Sequence, residues 1–142
     1  LDEVKLIQLP KFNDERGNLS FIEGGKHIPF AIERLYMIYD VPGGETRGGH
    51  AYHTLDECIV ALSGSFEVVL SDGNETRRFS LNRSYFGLYV PKLVWRSLEN
   101  FSTNGLCLIL ASQPYNEADY IRDFENFKSI RSLSECAYKY ML

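Results

Sequence analysis

The chain has 142 residues, of which 44% are hydrophobic and 13% aromatic, and its formal net charge is −4 at pH 7. That length fits one domain, and the apolar content can build a core without disulfides or a structural metal. Acidic and basic residues are interspersed and no apolar run approaches the roughly 20 residues that span a bilayer, which excludes a general nucleic-acid or membrane role. Cys58, Cys107 and Cys136 are an odd set with no CxxC pair. They argue against a disulfide framework or a zinc knuckle and for a reducing cytoplasm. The opening Leu1-Asp2-Glu3-Val4-Lys5 has no basic stretch followed by an apolar run, so no secretory signal is expected.

Short alternating, β-branched and aromatic runs predict strands near 4–9, 19–23, 32–40, 57–62, 65–71, 75–80, 86–90, 93–98 and 106–112. Pro42-Gly43-Gly44 ends the third run, Ser63-Gly64-Ser65 separates the fourth from the fifth, and Asp72-Gly73-Asn74 reads as a hairpin turn. This spacing, without amphipathic helices between the runs, predicts an all-β sandwich or barrel occupying residues 1–142 as a single domain. From Glu117 onward, Ala118, Ile121, Phe124 and Phe127 recur at helical spacing, so a short helix is expected outside the β structure, with 128–142 as a tail or a helix. No pattern is readable from Ser132 to Leu142.

The stretch with most chemistry runs from Gly44 to Glu57. Gly44, His50, Glu57 and Gly64 fall on the spacing G-x5-H-x-H-x(3,4)-E-x6-G, which resembles the first motif of the cupins, with Tyr52 in the second histidine's place. The second cupin motif is met in part: Pro91 and Asn100 fit, Leu93 replaces a glycine, and Arg96 stands where a histidine belongs. In metal-binding cupins three histidines and a glutamate hold one divalent ion. The corresponding set here is His50, Tyr52, Glu57 and Arg96. A guanidinium stays protonated, has no lone pair to give and repels a cation. His53 alternates to the face opposite His50 and Tyr52, and His27 and His53 are expected at the surface. No metal site and no cofactor are expected.

An imidazole, a phenol, a carboxylate and a guanidinium in one pocket match what enolisation beside a ketone needs: a base for the α-proton and donors for the developing oxyanion. Arg47-Gly48-Gly49-His50-Ala51, Leu62-Ser63-Gly64-Ser65, Gly87-Leu88-Tyr89-Val90, Val94-Trp95, Asp119-Tyr120-Ile121-Arg122 and the early Asp14-Glu15-Arg16-Gly17-Asn18-Leu19 together resemble the nucleotide-sugar 3,4-ketoisomerases. The resemblance covers about residues 5–127. It implies a jelly-roll cupin, a homodimer without metal, and isomerisation of dTDP-4-oxo-6-deoxyglucose on the way to deoxyamino sugars of surface glycans such as the lipopolysaccharide O-antigen. On it, His50, Tyr52 and Arg96 are the expected catalytic residues, with His50 taking the C3 proton and Tyr52 and Arg96 near the enediolate oxygens.

Arg16 and Arg47 are expected on the diphosphate, and Tyr36, Tyr89, Trp95 and Glu57 around the sugar and base. The family's usual segment is R-G-x-H-A-H, so Tyr52 is a departure. Each residue also has a plainer reading: Tyr52 and the other aromatics as strand packing, Glu57 as an arginine's ion partner, Arg16 and Arg47 as solvated surface. Two other functions stay open, a 3,5-epimerase of the same substrate and a non-catalytic sugar-nucleotide-binding cupin. A metal-dependent cupin oxygenase ranks last.

Overall fold

Period-two alternation puts every second side chain of a strand on one face, and this chain uses it to line the gap between two sheets. The structure, a computed structural model, describes residues 1–141. Leu142, the end of the expected tail, lies outside the described residues. The first strands are β1 Lys5–Gln8, β2 Lys11–Asp14, β3 Gly17–Ser20, β4 Arg34–Ile38, β5 Arg47–Tyr52 and β6 Glu57–Ser63. There follow β7 Phe66–Ser71, β8 Thr76–Leu81, β9 Phe86–Val90, β10 Trp95–Glu99, β11 Leu106–Ala111, a 3-10 turn Glu117–Asp119, β12 Tyr120–Ile121 and the helix α1 Phe124–Met141.

One sheet has the order β1-β9-β6-β11-β4 and the other β12-β5-β10-β7-β8, while β2 and β3 form a separate hairpin. All the ladders are antiparallel. From β4 to β11 the chain changes sheet at each step except the β7–β8 hairpin, which is the jelly-roll topology of a cupin. Ile59, Phe66, Val68, Leu70, Leu88, Val90, Leu98 and Ile109 point into the gap and form the main core. The outer face of the first sheet carries a second cluster in which Ile28 and Phe30 cover Cys58, Val60 and Leu110. Strand β6 is therefore buried on both faces over Glu57–Ala61, which is why it reads as a continuous apolar run rather than an alternation.

The turns obey their local chemistry. The Asp72 carboxylate accepts from the Asn74 and Glu75 amides at 2.9 and 2.8 Å, and Gly73 has φ +97°. Leu93, standing where the motif has glycine, keeps a positive φ of 57°. Its strain is offset by packing, because its side chain joins the cluster under α1 and its amide donates to the Tyr52 carbonyl at 2.9 Å.

Three regions differ from the sequence reading. Strands β2 and β5 were not among the expected strands; in β5 the glycines at 48 and 49 carry little β-propensity. The helix expected from Glu117 begins instead at Phe124 and runs for 18 residues, so it is longer than expected. Ala118 and Ile121 lie outside it. The reason is Asp119, whose buried carboxylate accepts from the Thr54 amide at 3.0 Å, the Thr54 hydroxyl at 2.8 Å and the Leu55 amide at 3.1 Å. That clamp holds the next two residues as β12 against β5, and Asp123 then caps α1 by accepting from the Asn126 amide at 2.8 Å. Among the described residues no helix is long and apolar enough to cross a membrane.

Gly64, the last residue of the first cupin spacing, has φ +64°, and a Cβ there would lie 2.3 Å from Ser102 Oγ and 2.8 Å from the Gly105 amide nitrogen. Gly64→Ala is expected to cost about 1–3 kcal/mol from left-handed strain and the backbone contact. Urea unfolding at unchanged m-value would read this as a lower midpoint, and an unchanged midpoint would show that the turn has no such requirement.

Candidate active site

The site begins with a backbone irregularity. Gly48 and Gly49 have φ +89° and +79°, and the β5–β10 register shifts between Arg96 and Ser97. A Cβ at Gly48 would meet the Arg96 carbonyl oxygen and Ser97 Cα, both at 3.2 Å, so close approach and positive φ both call for glycine there. Beyond this bulge His50 pairs directly with Arg96, so imidazole and guanidinium emerge side by side on the inner face of one sheet. The other sheet supplies Glu57 from β6 and Tyr36 from β4.

Arg96 and Glu57 bridge the sheets as an ion pair with Nη1 to Oε1 at 2.5 Å and side chains 2% and 0% exposed. Arg96 Nη2 donates to the Val94 carbonyl at 2.9 Å and the Pro91 carbonyl at 3.3 Å, while its Nε has no protein partner. The Tyr36 hydroxyl donates to the other Glu57 oxygen, and the Arg96 guanidinium lies 5.0 Å from the centre of the Tyr52 ring. His50 Nε2 is 3.1 Å from the Tyr52 hydroxyl, and the His50 and Tyr120 rings are 5.1 Å apart.

These surroundings set the charge states. Burial, then the Arg96 and Arg122 guanidiniums, push the His50 imidazole down to about 3, against the weaker opposing effect of a hydrogen bond to the Gly48 backbone. Burial and the Glu57 carboxylate push the Tyr36 and Tyr52 phenols well above the ordinary tyrosine range. At neutral pH the pocket thus holds a neutral imidazole and two neutral phenols.

A cavity of about 420 Å³ opens over this group. Buried Arg96 and Glu57, with His50 and Tyr36, form its polar floor, Ile59, Leu98 and Ile109 add apolar walls, and exposed Arg47 and Arg122 stand at its rim. The structure brings together His50, Arg96, Glu57, Tyr36 and Arg47 among the expected residues. A separate groove of about 390 Å³ between the Asp72–Asn74 turn and α1 is lined by mixed surface charges and contains none of these groups.

The other expected residues lie elsewhere. Tyr52 is fully buried beside His50 and does not line the cavity. Tyr89 sits between inward-facing Leu88 and Val90 and therefore points out, toward Phe30 at 6.3 Å. Trp95 is corrected in the same way: it neighbours inward Arg96, so it faces out and stacks on Phe127 of α1 with ring centres 5.7 Å apart. Arg16 is at the tip of the β2–β3 hairpin, 87% exposed and paired with Asp14 at 2.7 Å. Exposed His53 agrees with the expectation, while His27 is only half-exposed and accepts from the Glu23 amide at 2.8 Å.

Thr46, Tyr120 and Arg122 line the cavity without having been expected there. Arg122 is held over the Tyr120 ring at 4.3 Å and bonded to Glu117 through two nitrogens at 2.7 and 2.9 Å. The signal for Tyr120 and Arg122, the run Asp119–Arg122, was visible, but a helical periodicity assigned it to the outside. Among the described residues no three His, Cys, Asp or Glu side chains converge as a metal would require. The one carboxylate in the motif, Glu57, is already engaged by Arg96 and Tyr36.

The family FdtA: WxcM-like, C-terminal, matches residues 2–132. The TDP-4-oxo-6-deoxy-alpha-D-glucose-3,4-oxoisomerase of Aneurinibacillus thermoaerophilus is 44% identical over 126 residues, covering 89% of this chain and 91% of that protein. A 3,4-ketoisomerase from Helicobacter canadensis superposes with a TM-score of 0.88 at 40% identity, over 92% of this chain and 98% of that one. A histidine-to-asparagine variant of a 3,4-ketoisomerase from Thermoanaerobacterium thermosaccharolyticum, in complex with TDP-4-keto-6-deoxyglucose, gives 0.90 at 36% identity, over 92% and 95% of the two chains. A dTDP-4-dehydrorhamnose 3,5-epimerase from Bacillus anthracis shares the fold alone, with a TM-score of 0.74 at 17% identity over 83% and 77%. Fold and sequence likeness place the chain in the FdtA, WxcM-like C-terminal family of cupin-type sugar 3,4-ketoisomerases.

Proposed function

We propose that this protein is an isomerase that moves the keto group of dTDP-4-oxo-6-deoxyglucose from C4 to C3. The observation that carries the reading is the pairing of neutral His50 with buried Arg96 across one ladder position, on the floor of a cavity rimmed by Arg47 and Arg122. His50 removes the C3 proton; the C3–H electrons become the C3=C4 double bond and the carbonyl electrons move onto O4. Arg96 stabilises that charge through its field. The O3 proton passes to O4, the O3 electrons collapse to form the C3 carbonyl, and the C3=C4 electrons take back at C4 the proton held by His50. Arg47 and Arg122 meet the diphosphate.

An imidazole depressed to about 3 is a weak base in the free protein. The developing enediolate beside it favours the imidazolium and raises its proton affinity at the moment of transfer. Epimerisation at C3 and C5 has no observation in its favour, since the epimerase shares only the fold and His50 contacts a tyrosine rather than a carboxylate. On this reading the enzyme works in a reducing cytoplasm as a homodimer. Free Cys58, Cys107 and Cys136 support the first, and exposed Leu35 and Met37 on edge strand β4, with exposed Tyr39 just beyond it, support the second.

His50→Asn is expected to lower kcat by about 10²–10⁴ while leaving the melting temperature nearly unchanged. NMR of dTDP-4-oxo-6-deoxyglucose in deuterated buffer would show solvent deuterium entering only at C3 and C4 with the native protein. Exchange at C5 would point to the epimerase, and binding without exchange to a sugar-nucleotide-binding module.

The depressed His50 value also fixes a stability trend. Between pH 6.5 and about 3 the unfolded chain takes up a proton that folded His50 refuses, so stability present above pH 6.5 is lost as pH falls through that window. The thermal midpoint of the native protein should therefore fall more steeply from pH 6.5 to 4 than that of His50→Asn. Parallel curves would mean that His50 titrates normally.

A further inference from the structure

The turn Glu117–Asp119 carries two carboxylates that face opposite ways. Inward, Asp119 is 7% exposed, and its oxygens accept from the Thr54 amide at 3.0 Å, the Thr54 hydroxyl at 2.8 Å and the Leu55 amide at 3.1 Å. Its carbonyl accepts from the His53 amide at 2.9 Å. Thr54 and Leu55 belong to the connection between β5, which bears His50, and β6, which bears Glu57. The turn is therefore anchored to the frame of the site itself. Outward, Glu117 holds Arg122 side-on, with Oε1 accepting from Nε at 2.7 Å and Oε2 from Nη2 at 2.9 Å. The Tyr115 hydroxyl donates to the same Oε2 at 2.6 Å. The Arg122 guanidinium lies 4.3 Å from the centre of the Tyr120 ring, and both residues line the cavity. Glu117 takes one hydrogen on Nε and one on Nη2, which leaves the Nη1–Nη2 edge for a two-pronged contact with a phosphate.

We propose that Asp119 is a positioning residue for the diphosphate of the substrate, acting through Glu117 and Arg122. Asp119 does not line the cavity and touches none of the groups that do the chemistry. The Glu117–Arg122 pair, with side chains 55% and 56% exposed, contributes little to stability. What it sets is direction, and a long side chain already held in its bound orientation has less freedom to lose when the ligand arrives. Glu117 can hold that direction only while the turn keeps its place. The β12–β5 register, Tyr120 opposite Tyr52 and Ile121 opposite Ala51, begins at the residue after Asp119. Charge balance assigns the task to the rim: the cation on the cavity floor, Arg96, is already paired with Glu57, so a diphosphate has to be met by Arg47 and Arg122.

This inference rests on the isomerase reading, and dTDP, which has the diphosphate but no ketone, separates their failures. In Asp119→Asn the side chain keeps its volume, but its NH2 cannot accept, so the three donors are no longer all satisfied. Calorimetry on the full-length protein should show this variant raising the dTDP Kd about tenfold. KM for dTDP-4-oxo-6-deoxyglucose should rise by about the same factor while kcat stays within about twofold. Glu117→Gln, at the surface, should raise Kd and KM about threefold. In an Arg122→Ala background neither substitution should change the dTDP Kd by more than about 1.5-fold, since the side chain they position is gone. An unchanged dTDP Kd in Asp119→Asn, a kcat that falls while KM holds, or losses that multiply with that of Arg122→Ala would overturn the proposal and leave Asp119 a structural clamp. If Asp119→Asn does not fold, Glu117→Gln decides, because its indifference breaks the same line of action. A native protein that shows this coupling on dTDP but turns over no substrate would overturn the isomerase reading and leave the proposal standing. One that binds no dTDP would overturn both.

Discussion

Between the two sheets a carboxylate and a guanidinium meet where solvent does not reach either. Taking both from water costs several kcal/mol per ion, and the pair persists because almost every valence is met. Glu57 accepts from Arg96 and Tyr36, and Arg96 donates to Glu57 and to two backbone carbonyls. Only Arg96 Nε is left over, a buried donor on a residue that lines the cavity. The pair cannot be separated without stranding a buried charge, so it fixes the spacing of the sheets at this end. It also divides their gap into an apolar core, built on Phe66, Val68, Leu70 and Leu88, and a polar chamber that admits a ligand.

His50 depends on the same pair. It reaches Arg96 because two left-handed glycines and a register shift move the end of β5, and it is neutral because burial and that guanidinium disfavour its charged form. The outer wall behind it is built from the alternate side chains of the same strands: Ala51 and Trp95 face α1, while His50 and Arg96 face the chamber. Helix α1 is thus a support for the site. It closes the back of β5 and β10 with Phe124, Phe127 and Ile130, and Arg131 ties it to the Leu93 carbonyl at 2.5 Å.

The parts legible in the sequence were those in which one strong local signal acted alone. Clean alternation located most strands, and fixed spacing located His50, Glu57 and Arg96. Signals failed where two competed. Arg47–Tyr52 is a strand by partnership rather than propensity, and Ile121 is held in β12 by Asp119, a residue whose role depends on Thr54 and Leu55 sixty-odd positions earlier. The outward placement of Trp95 and Tyr89 was available in principle: if Arg96 faces in, Trp95 cannot, and Tyr89 lies between two inward residues. Arg122 could not be placed, because the capping turn that carries it looked helical.

The arginine in place of a metal ligand changes the electrostatic logic of the barrel. A bound metal would polarise a carbonyl but would occupy the histidines as ligands. A fixed guanidinium supplies positive charge and leaves the imidazole free to take a proton. The cost is a base made weaker by the cation that assists it. On the proposed mechanism that conflict is resolved within the reaction, because the negative charge of the enediolate would appear at the same instant as the imidazolium. The site is badly matched to a protonated histidine when empty and well matched to it when the transition-state charge is present. That difference, rather than any strong ground-state contact, is what a catalyst of proton transfer requires.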